Sequence, residues 1–161
     1  MNLSIIIPLL NEEESLQELY NWILTVMKTN NYSYEVIFID DNSTDGTGDL
    51  LRQAIANRPY MKVVNAEPLP DGWMGKPWAL SQGLSHATRD YIVTIDADVR
   101  LEPNALSAMD AVLQRTGSDF LSPYPCQEAV TLSERLIQPL LQWTWMTTVP
   151  LRLAMQSSRK S

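Results

Sequence analysis

The stretch Tyr91-Ile92-Val93-Thr94-Ile95-Asp96-Ala97-Asp98 carries the reading of the fold. An apolar, β-branched run of this kind reads as a buried strand, and it stops at two carboxylates one residue apart. Alternate side chains of a strand share a side, so Asp96 and Asp98 are expected to project together from its carboxyl end. Two ionised carboxylates repel each other there unless a cation lies between them. A hard divalent cation takes oxygen ligands and completes its shell with waters and substrate phosphates. Taken alone, the pair is better explained as a solvated turn, so its meaning depends on what the rest of the chain places beside it.

Working outward, the same kind of unit occurs twice upstream. Leu3-Ser4-Ile5-Ile6-Ile7 is a nearly continuous apolar run, as in a strand covered on both faces. Asn11 is placed to cap a following helix, with Glu14 three residues on in a capping-box-like arrangement. Leu16, Leu19, Tyr20, Ile23 and Met27 then recur at helical spacing. Tyr34 to Ile39 is a second strand that ends at Asp40-Asp41. The turn Asn42 to Gly46 leads into a helix through Leu50, Leu51, Ala54 and Ile55, and Met61 to Val64 is a short third strand. A Pro- and Gly-rich loop, Ala66 to Gly75, precedes a helix opened by Lys76-Pro77, where proline's missing N–H costs nothing. After Asp98 a helix is expected over about Glu102 to Arg115, with Ser118 to Ser122 as a candidate fifth strand.

Alternating strands and helices imply an α/β fold, a mostly parallel open sheet with helices on both faces. Such sheets bind ligands outside the carboxyl ends of their strands. Asn11-Glu12, Asp40-Asp41 and Asp96-Asp98 all fall on that rim. Three polar clusters on one rim outweigh the solvated-turn reading of any one of them.

Composition narrows the classes. The 161 residues suffice for one domain with a core. A net charge of −7 argues against a nucleic-acid partner, whose phosphates are bound mainly through Lys and Arg. The single cysteine, Cys126, excludes an internal disulfide framework and a zinc cluster, and a reducing compartment is the simpler reading. The lone His86 reads as structural. Leu3 to Leu10 is too short for a signal peptide and lacks a basic start, and no run of about 20 apolar residues is present. A cytoplasmic protein, at the inner face of the cell membrane, is therefore expected.

The carboxy-terminal part differs from the rest. Residues 1–125 read as the ligand-binding domain, and residues 126–161 as a hydrophobic helical segment. That segment carries Leu132, Leu136, Leu140, Trp143, Trp145 and Met146, with Arg135, Arg152 and Arg159 toward its ends. Trp flanked by basic residues suits an element lying in a membrane interface; an ordinary core-packing helix is the alternative. Pro139 and Pro150 are expected to kink or split it.

The three rim clusters are chemically consistent with one ligand. Asp41, or its neighbour Asp40, is placed to accept hydrogen bonds from a base N–H and ribose hydroxyls. Asp96 and Asp98 are placed to hold Mg²⁺ or Mn²⁺ bridging a diphosphate. Lys76 adds a cation against phosphate. A metal inverts the local charge logic, so an acidic rim need not repel an anion. Trp73 and Trp78 read equally as packing or as substrate contacts. Asp45 reads as a turn or cap residue, and Glu13 and Glu14 as solvated acids of a helix start.

Three motifs at this spacing resemble the family 2 glycosyltransferases and their GT-A nucleotide-diphospho-sugar-binding fold. They are Ile5-Ile6-Ile7-Pro8 with Asn11-Glu12, then Ile39-Asp40-Asp41-Asn42-Ser43-Thr44-Asp45-Gly46-Thr47, then Asp96-Ala97-Asp98. The segment Pro68 to Leu80, with Gly72-Trp73-Met74-Gly75-Lys76-Pro77-Trp78, is similar to the hopanoid-associated and carotenoid-type branch, which acts near membranes on isoprenoid-type acceptors. The likeness runs from about Asn2 to Arg152. It implies that Pro8, Asn11 and Glu12 shape or contact the nucleotide pocket, that Asp41 with Asp40 lies at the base and ribose, that Lys76 lies near the diphosphate, and that Asp96 and Asp98 form the metal-binding motif. It further implies transfer of a sugar from a nucleotide-diphosphate sugar, of UDP type, to a lipid or isoprenoid-type acceptor, inverting and metal-dependent.

The family's catalytic base lies well after the metal motif, and this sequence has no later Glu-Asp or Asp-Asp pair; Glu128 and Glu134 fall too early. The expectation is thus a donor-binding half, incomplete at the carboxyl terminus, with an inactive nucleotide-sugar-binding fragment as the alternative. A nucleotidyltransferase on a related fold ranks last, because Pro8-Leu9-Leu10-Asn11-Glu12 lacks a Gly-rich basic loop.

Overall fold

The computed structural model describes residues 1–148. It divides into two compact units, the first ending at Leu121 and the second beginning at Ser122. In the first unit, strands and helices alternate as β1 (Asn2–Leu9), α1 (Leu16–Asn30), β2 (Ser33–Asp40), α2 (Thr47–Ile55), β3 (Met61–Asn65), α3 (Gly75–Ser85), β4 (Tyr91–Thr94) and α4 (Ala105–Thr116). The second unit contains α5 (Leu132–Thr148).

The four strands form one parallel sheet in the order β3-β2-β1-β4. The chain steps outward from β1 to β2 to β3, then crosses back to the far side of β1. Right-handed crossovers in opposite directions put their helices on opposite faces. Accordingly α1, α2 and α4 pack with Leu3, Ile5, Ile7, Leu9 and Phe38 on one face. On the other face α3 packs through Ala79 on Ile6, Ile37 and Ile39. The approach of α3 is close enough that a Cβ at Gly83 would collide with Ile6 Cγ2 and reach within 3.2 Å of Ile39. The direction of crossover switches between β1 and β4, and the carboxyl ends of these two strands flank the crevice where open sheets bind ligands.

At the opposite end of the sheet Glu35, only 3% exposed, is pinned by four hydrogen bonds. Ser4 Oγ (2.7 Å), Thr88 N (2.7 Å), Thr88 Oγ1 (2.8 Å) and Lys62 Nζ (3.0 Å) all donate to its carboxylate. Burial by itself would raise the Glu35 pKa, but the bonds from Ser4, Lys62 and Thr88 outweigh burial and hold it down to about 2. The network ties the α3–β4 connection to the first three strands.

Several expectations are corrected. β4 is a half-buried edge strand rather than a buried one, with Ile92 47% exposed, because α3 covers β1 and β2 but not β4. It ends at Thr94, although Ile95 N still donates to Ile6 O at 3.1 Å. Ser118 to Ser122 is irregular, with Phe120 exposed: α4 stops at left-handed Gly117, and the segment after it joins no ladder. α4 starts at Ala105 rather than Glu102, and its buried residue is Leu106. α5 continues through Pro139 without being split; Pro150 and Arg152 lie outside the described residues. Among the described residues no helix is long and apolar enough to cross a membrane.

Candidate functional site

The rim is assembled by side chains that lock the β1–α1 and β2–α2 loops together. Asn11 does not cap α1, which begins at Leu16 behind Ser15. Its backbone is left-handed (φ 56°), a conformation that Asn tolerates better than most residues. Its N–H donates to Ser43 Oγ (3.0 Å), and its Oδ1 accepts from Thr44 N (2.8 Å). Glu12 N donates to Thr47 Oγ1 (2.9 Å), and Gly46 N donates to Glu13 Oε2 (2.9 Å). Asp45 accepts from Thr47 N (3.0 Å) and Glu13 N (3.3 Å), and its bonds with Thr47 lower its pKa. Asp45 is thus the loop-closing residue its sequence context suggests, and Glu13 is a brace rather than a free acid.

Adjacent Asp40 and Asp41 part company. Asp40 is 8% exposed and turns its carboxylate inward to accept from Ser43 N (2.9 Å). Asp41 N donates to Leu9 O (2.9 Å), and the Asp41 side chain faces a cleft of about 410 Å³. Pro8, Leu10, Glu12, Gly75, Lys76, Asp96, Ala97 and Asp98 also line this cleft. Of the eight candidate residues, the structure brings Pro8, Glu12, Asp41, Lys76, Asp96 and Asp98 together. It places Asn11 and Asp40 behind them as loop braces.

The cleft has two electrical walls. One is the start of α3, whose first turn carries no acid and which presents Lys76; free N–H groups and the helix dipole favour an anion there. α3 seats close to Asp41, since a Cβ on Gly75 would lie 3.3 Å from Asp41 Oδ2. The other wall is the Asp96–Asp98 turn. The strand-pleat argument for this pair is corrected: both carboxylates leave a turn closed by Val99 N to Asp96 O (3.1 Å), with Ala97 buried beneath. Lys76 Nζ bridges the walls, 2.6 Å from Asp96 Oδ1.

Sequence reasoning missed Arg100. Its Nη1 donates to Ala97 O (2.7 Å) and Val99 O (3.1 Å), and its Nη2 lies 3.5 Å from Glu18 Oε2 on α1. A guanidinium two residues after an acidic pair was the available signal. Trp73 and Trp78 meet edge to face, with centroids 5.1 Å apart, and Trp78 Nε1 donates to Glu67 O (3.0 Å). This bracing holds the loop before α3 while leaving Trp73 46% exposed.

Among the described residues no three His, Cys, Asp or Glu side chains converge as a metal cage. Two carboxylates at an open cleft do fit Mg²⁺ or Mn²⁺, which often takes one or two protein carboxylates and fills its shell with water and phosphate oxygens. The donor set does not suit a soft metal.

A parallel sheet with helices on both faces and a cleft at its switch point is an α/β architecture of the GT-A type. Residues 4–155 match the glycosyl transferase family 2 model, and the chain belongs to that family. It is 33% identical over 103 residues to the undecaprenyl-phosphate 4-deoxy-4-formamido-L-arabinose transferase of Edwardsiella ictaluri, covering 64% of this chain and 31% of that protein. The mannosyltransferase PcManGT from Pyrobaculum calidifontis, solved with GDP-Man and Mn²⁺, superposes with a TM-score of 0.55 at 26% identity, over 70% of this chain and 32% of that one. TarS residues 1–349 from S. aureus, solved with UDP-GlcNAc, superposes with a TM-score of 0.55 at 24% identity, over 81% and 37%. The chain spans about a third of the length of the curated relatives it matches.

Proposed function

We propose that this chain is the donor-binding part of a metal-dependent, inverting glycosyltransferase that moves a sugar from a nucleotide-diphosphate sugar, of UDP type, to a lipid-linked or isoprenoid-type acceptor. The observation that carries the reading is the convergence of Glu12, Asp41, Lys76, Asp96 and Asp98 on one cleft at the switch point. The undecaprenyl-phosphate transferase among the relatives supports a lipid-linked acceptor. The manganese and GDP-mannose complex of the archaeal neighbour supports a divalent metal.

In this reading Asp41 accepts hydrogen bonds from the base or ribose, and Pro8 and Leu10 give the pocket its apolar floor. Lys76 and the first N–H groups of α3 hold the diphosphate. Asp96 and Asp98 would hold Mg²⁺ or Mn²⁺, and such a cation would supply positive charge against the departing diphosphate. Arg100 keeps the turn bearing those two carboxylates in one shape. An acceptor hydroxyl attacks the sugar carbon from the face opposite the diphosphate and must lose its proton to a base. No described carboxylate is assigned that task. Glu134 is occupied in capping α5, where its Oε2 accepts from Val130 N and Thr131 N, both at 2.8 Å.

α5 on its own supports a place at the inner membrane surface. Leu132, Leu136, Leu140, Trp143, Trp145 and Met146 are each more than half exposed. An apolar, Trp-bearing helix of this kind suits the boundary between headgroups and acyl chains.

Calorimetry with UDP- and GDP-sugars, with and without Mn²⁺, tests the central claim. Metal-dependent binding of a nucleotide sugar is expected. Binding of none, or binding indifferent to metal, overturns it.

A further inference from the structure

Four carboxylates line the cleft, from Glu12, Asp41, Asp96 and Asp98, and Lys76 is the one cation among its lining residues. Its ammonium sits 2.6 Å from Asp96 Oδ1, with the two side chains 56% and 47% exposed. An exposed pair of this kind contributes little to stability, so breaking it is cheap. A lysine ammonium is also a compact point charge on a flexible stem, able to change partner without moving the backbone.

We propose that Lys76 is the resident counter-ion of the donor-free cleft and that it changes partner when the donor arrives. Without ligand the ammonium neutralises Asp96. When a divalent cation and a nucleoside diphosphate enter together, the ammonium passes to the diphosphate oxygens and releases Asp96 to the cation. This inference rests on the donor-site reading given above and adds an order to it.

The reason is electrostatic. A divalent cation arriving alone must displace Lys76 from Asp96 while nothing new accepts the displaced ammonium. A diphosphate arriving alone faces four carboxylates, with the one ammonium already engaged. Arriving together, each ligand removes the obstacle to the other: the cation replaces the ammonium on Asp96, and the diphosphate receives it. Lys76 thereby couples the two binding events, and by linkage each raises the affinity of the other by the same factor. If Lys76 neutralised Asp96 but never met the diphosphate, its removal would strengthen metal binding and leave the factor by which UDP strengthens it unchanged.

The test is a titration of the full chain with Mn²⁺, following free Mn²⁺ by electron paramagnetic resonance, with and without UDP, for wild type, Lys76→Gln and Lys76→Arg. Thermal unfolding of each variant establishes that it is folded. For Lys76→Gln, Mn²⁺ alone is expected to bind about threefold to fivefold more tightly than to wild type, the scale of one exposed ion pair. The factor by which UDP strengthens Mn²⁺ binding is expected to fall. Lys76→Arg, which keeps a charge beside Asp96, is expected to bind Mn²⁺ alone less tightly than Lys76→Gln does. If wild type binds UDP with Mn²⁺ but Lys76→Gln binds Mn²⁺ alone no better than wild type, the exchange is overturned and the donor site stands. If wild type binds neither Mn²⁺ nor UDP, the donor site is overturned and the exchange with it.

Discussion

Arg100 Nη1 donates to the carbonyl of Ala97 at 2.7 Å, so the residue between the two cleft carboxylates is gripped from behind by a guanidinium. The same nitrogen reaches Val99 O, and the other end of the fork faces Glu18 on α1. A lysine could supply the charge but not the planar fork. Arg100→Ala is expected to weaken Mn²⁺-dependent UDP binding about fivefold to tenfold, in keeping with the loss of a charge-assisted hydrogen bond. Arg100→Lys should recover only part of this. Calorimetry at fixed Mn²⁺ measures it, and wild-type affinity in both variants would remove Arg100 from the site.

Asp96 and Asp98 are both accessible in the cleft, so neutralising either should leave the fold intact. Asp98→Asn is expected to lower Mn²⁺ affinity in the presence of UDP by at least about tenfold, with the unfolding midpoint within a degree or two of wild type. Mn²⁺ resonance titration reads the first quantity and differential scanning calorimetry the second.

Glu35 sets a pH dependence of stability. Its carboxyl titrates near 2 in the folded chain against 4.5 ordinarily. A depressed folded pKa means that the unfolded chain binds the proton more readily, so the contribution is full above about pH 4.5 and fades as pH falls toward 2. Glu35→Gln, which leaves the Lys62 ammonium without its partner, is expected to destabilise the protein by a few kcal/mol at pH 7. Urea unfolding of the two proteins should show that gap narrowing between pH 5 and pH 2. A gap independent of pH would assign the loss to packing alone.

The exposed tryptophans of α5 predict membrane association. The full chain should float with liposomes that contain anionic lipid, and Trp143→Ser with Trp145→Ser should reduce the bound fraction severalfold. Equal recovery of both proteins in the unbound fraction would set α5 apart from any membrane role.

The reading of the fold from local patterns succeeded where burial enforces the pattern. Ile5, Ile6 and Ile7 in β1, and Val36 to Ile39 in β2, are covered on both faces, so an unbroken apolar run is required there. It failed where a neighbour is missing. Tyr91 to Thr94 has the same composition but lies at an edge, and Phe120 lies in a segment that joins no ladder. The Thr131-Leu132-Ser133-Glu134 capping box of α5 is legible in the sequence: Glu134 N donates to Thr131 Oγ1 (3.3 Å) while Glu134 Oε2 accepts from Thr131 N.

The candidate site divides the same way. Carboxylates at strand ends can be read directly, because strand ends follow from where apolar runs stop. Which of two adjacent carboxylates faces the cleft cannot: Asp40 turns in to Ser43 and Asp41 turns out, a choice made by a loop held from the other side by Asn11.

The amino-acid sequence by itself determined a parallel α/β fold with acidic clusters on one rim, because hydrophobic periodicity and chain breakers act within a few residues of one another. Only the tertiary structure decided that Asp96 leaves a turn rather than a strand, that Arg100 grips that turn, and that Lys76 spans the cleft to Asp96. The turn and the grip of Arg100 on Ala97 O and Val99 O lie within Asp96 to Arg100, with Glu18 on α1 facing the far end of the guanidinium. The contact of Lys76 with Asp96 joins α3 to the turn after β4, and that distance is fixed by the crossover from β3 to β4 and the packing of α3 rather than by local preference.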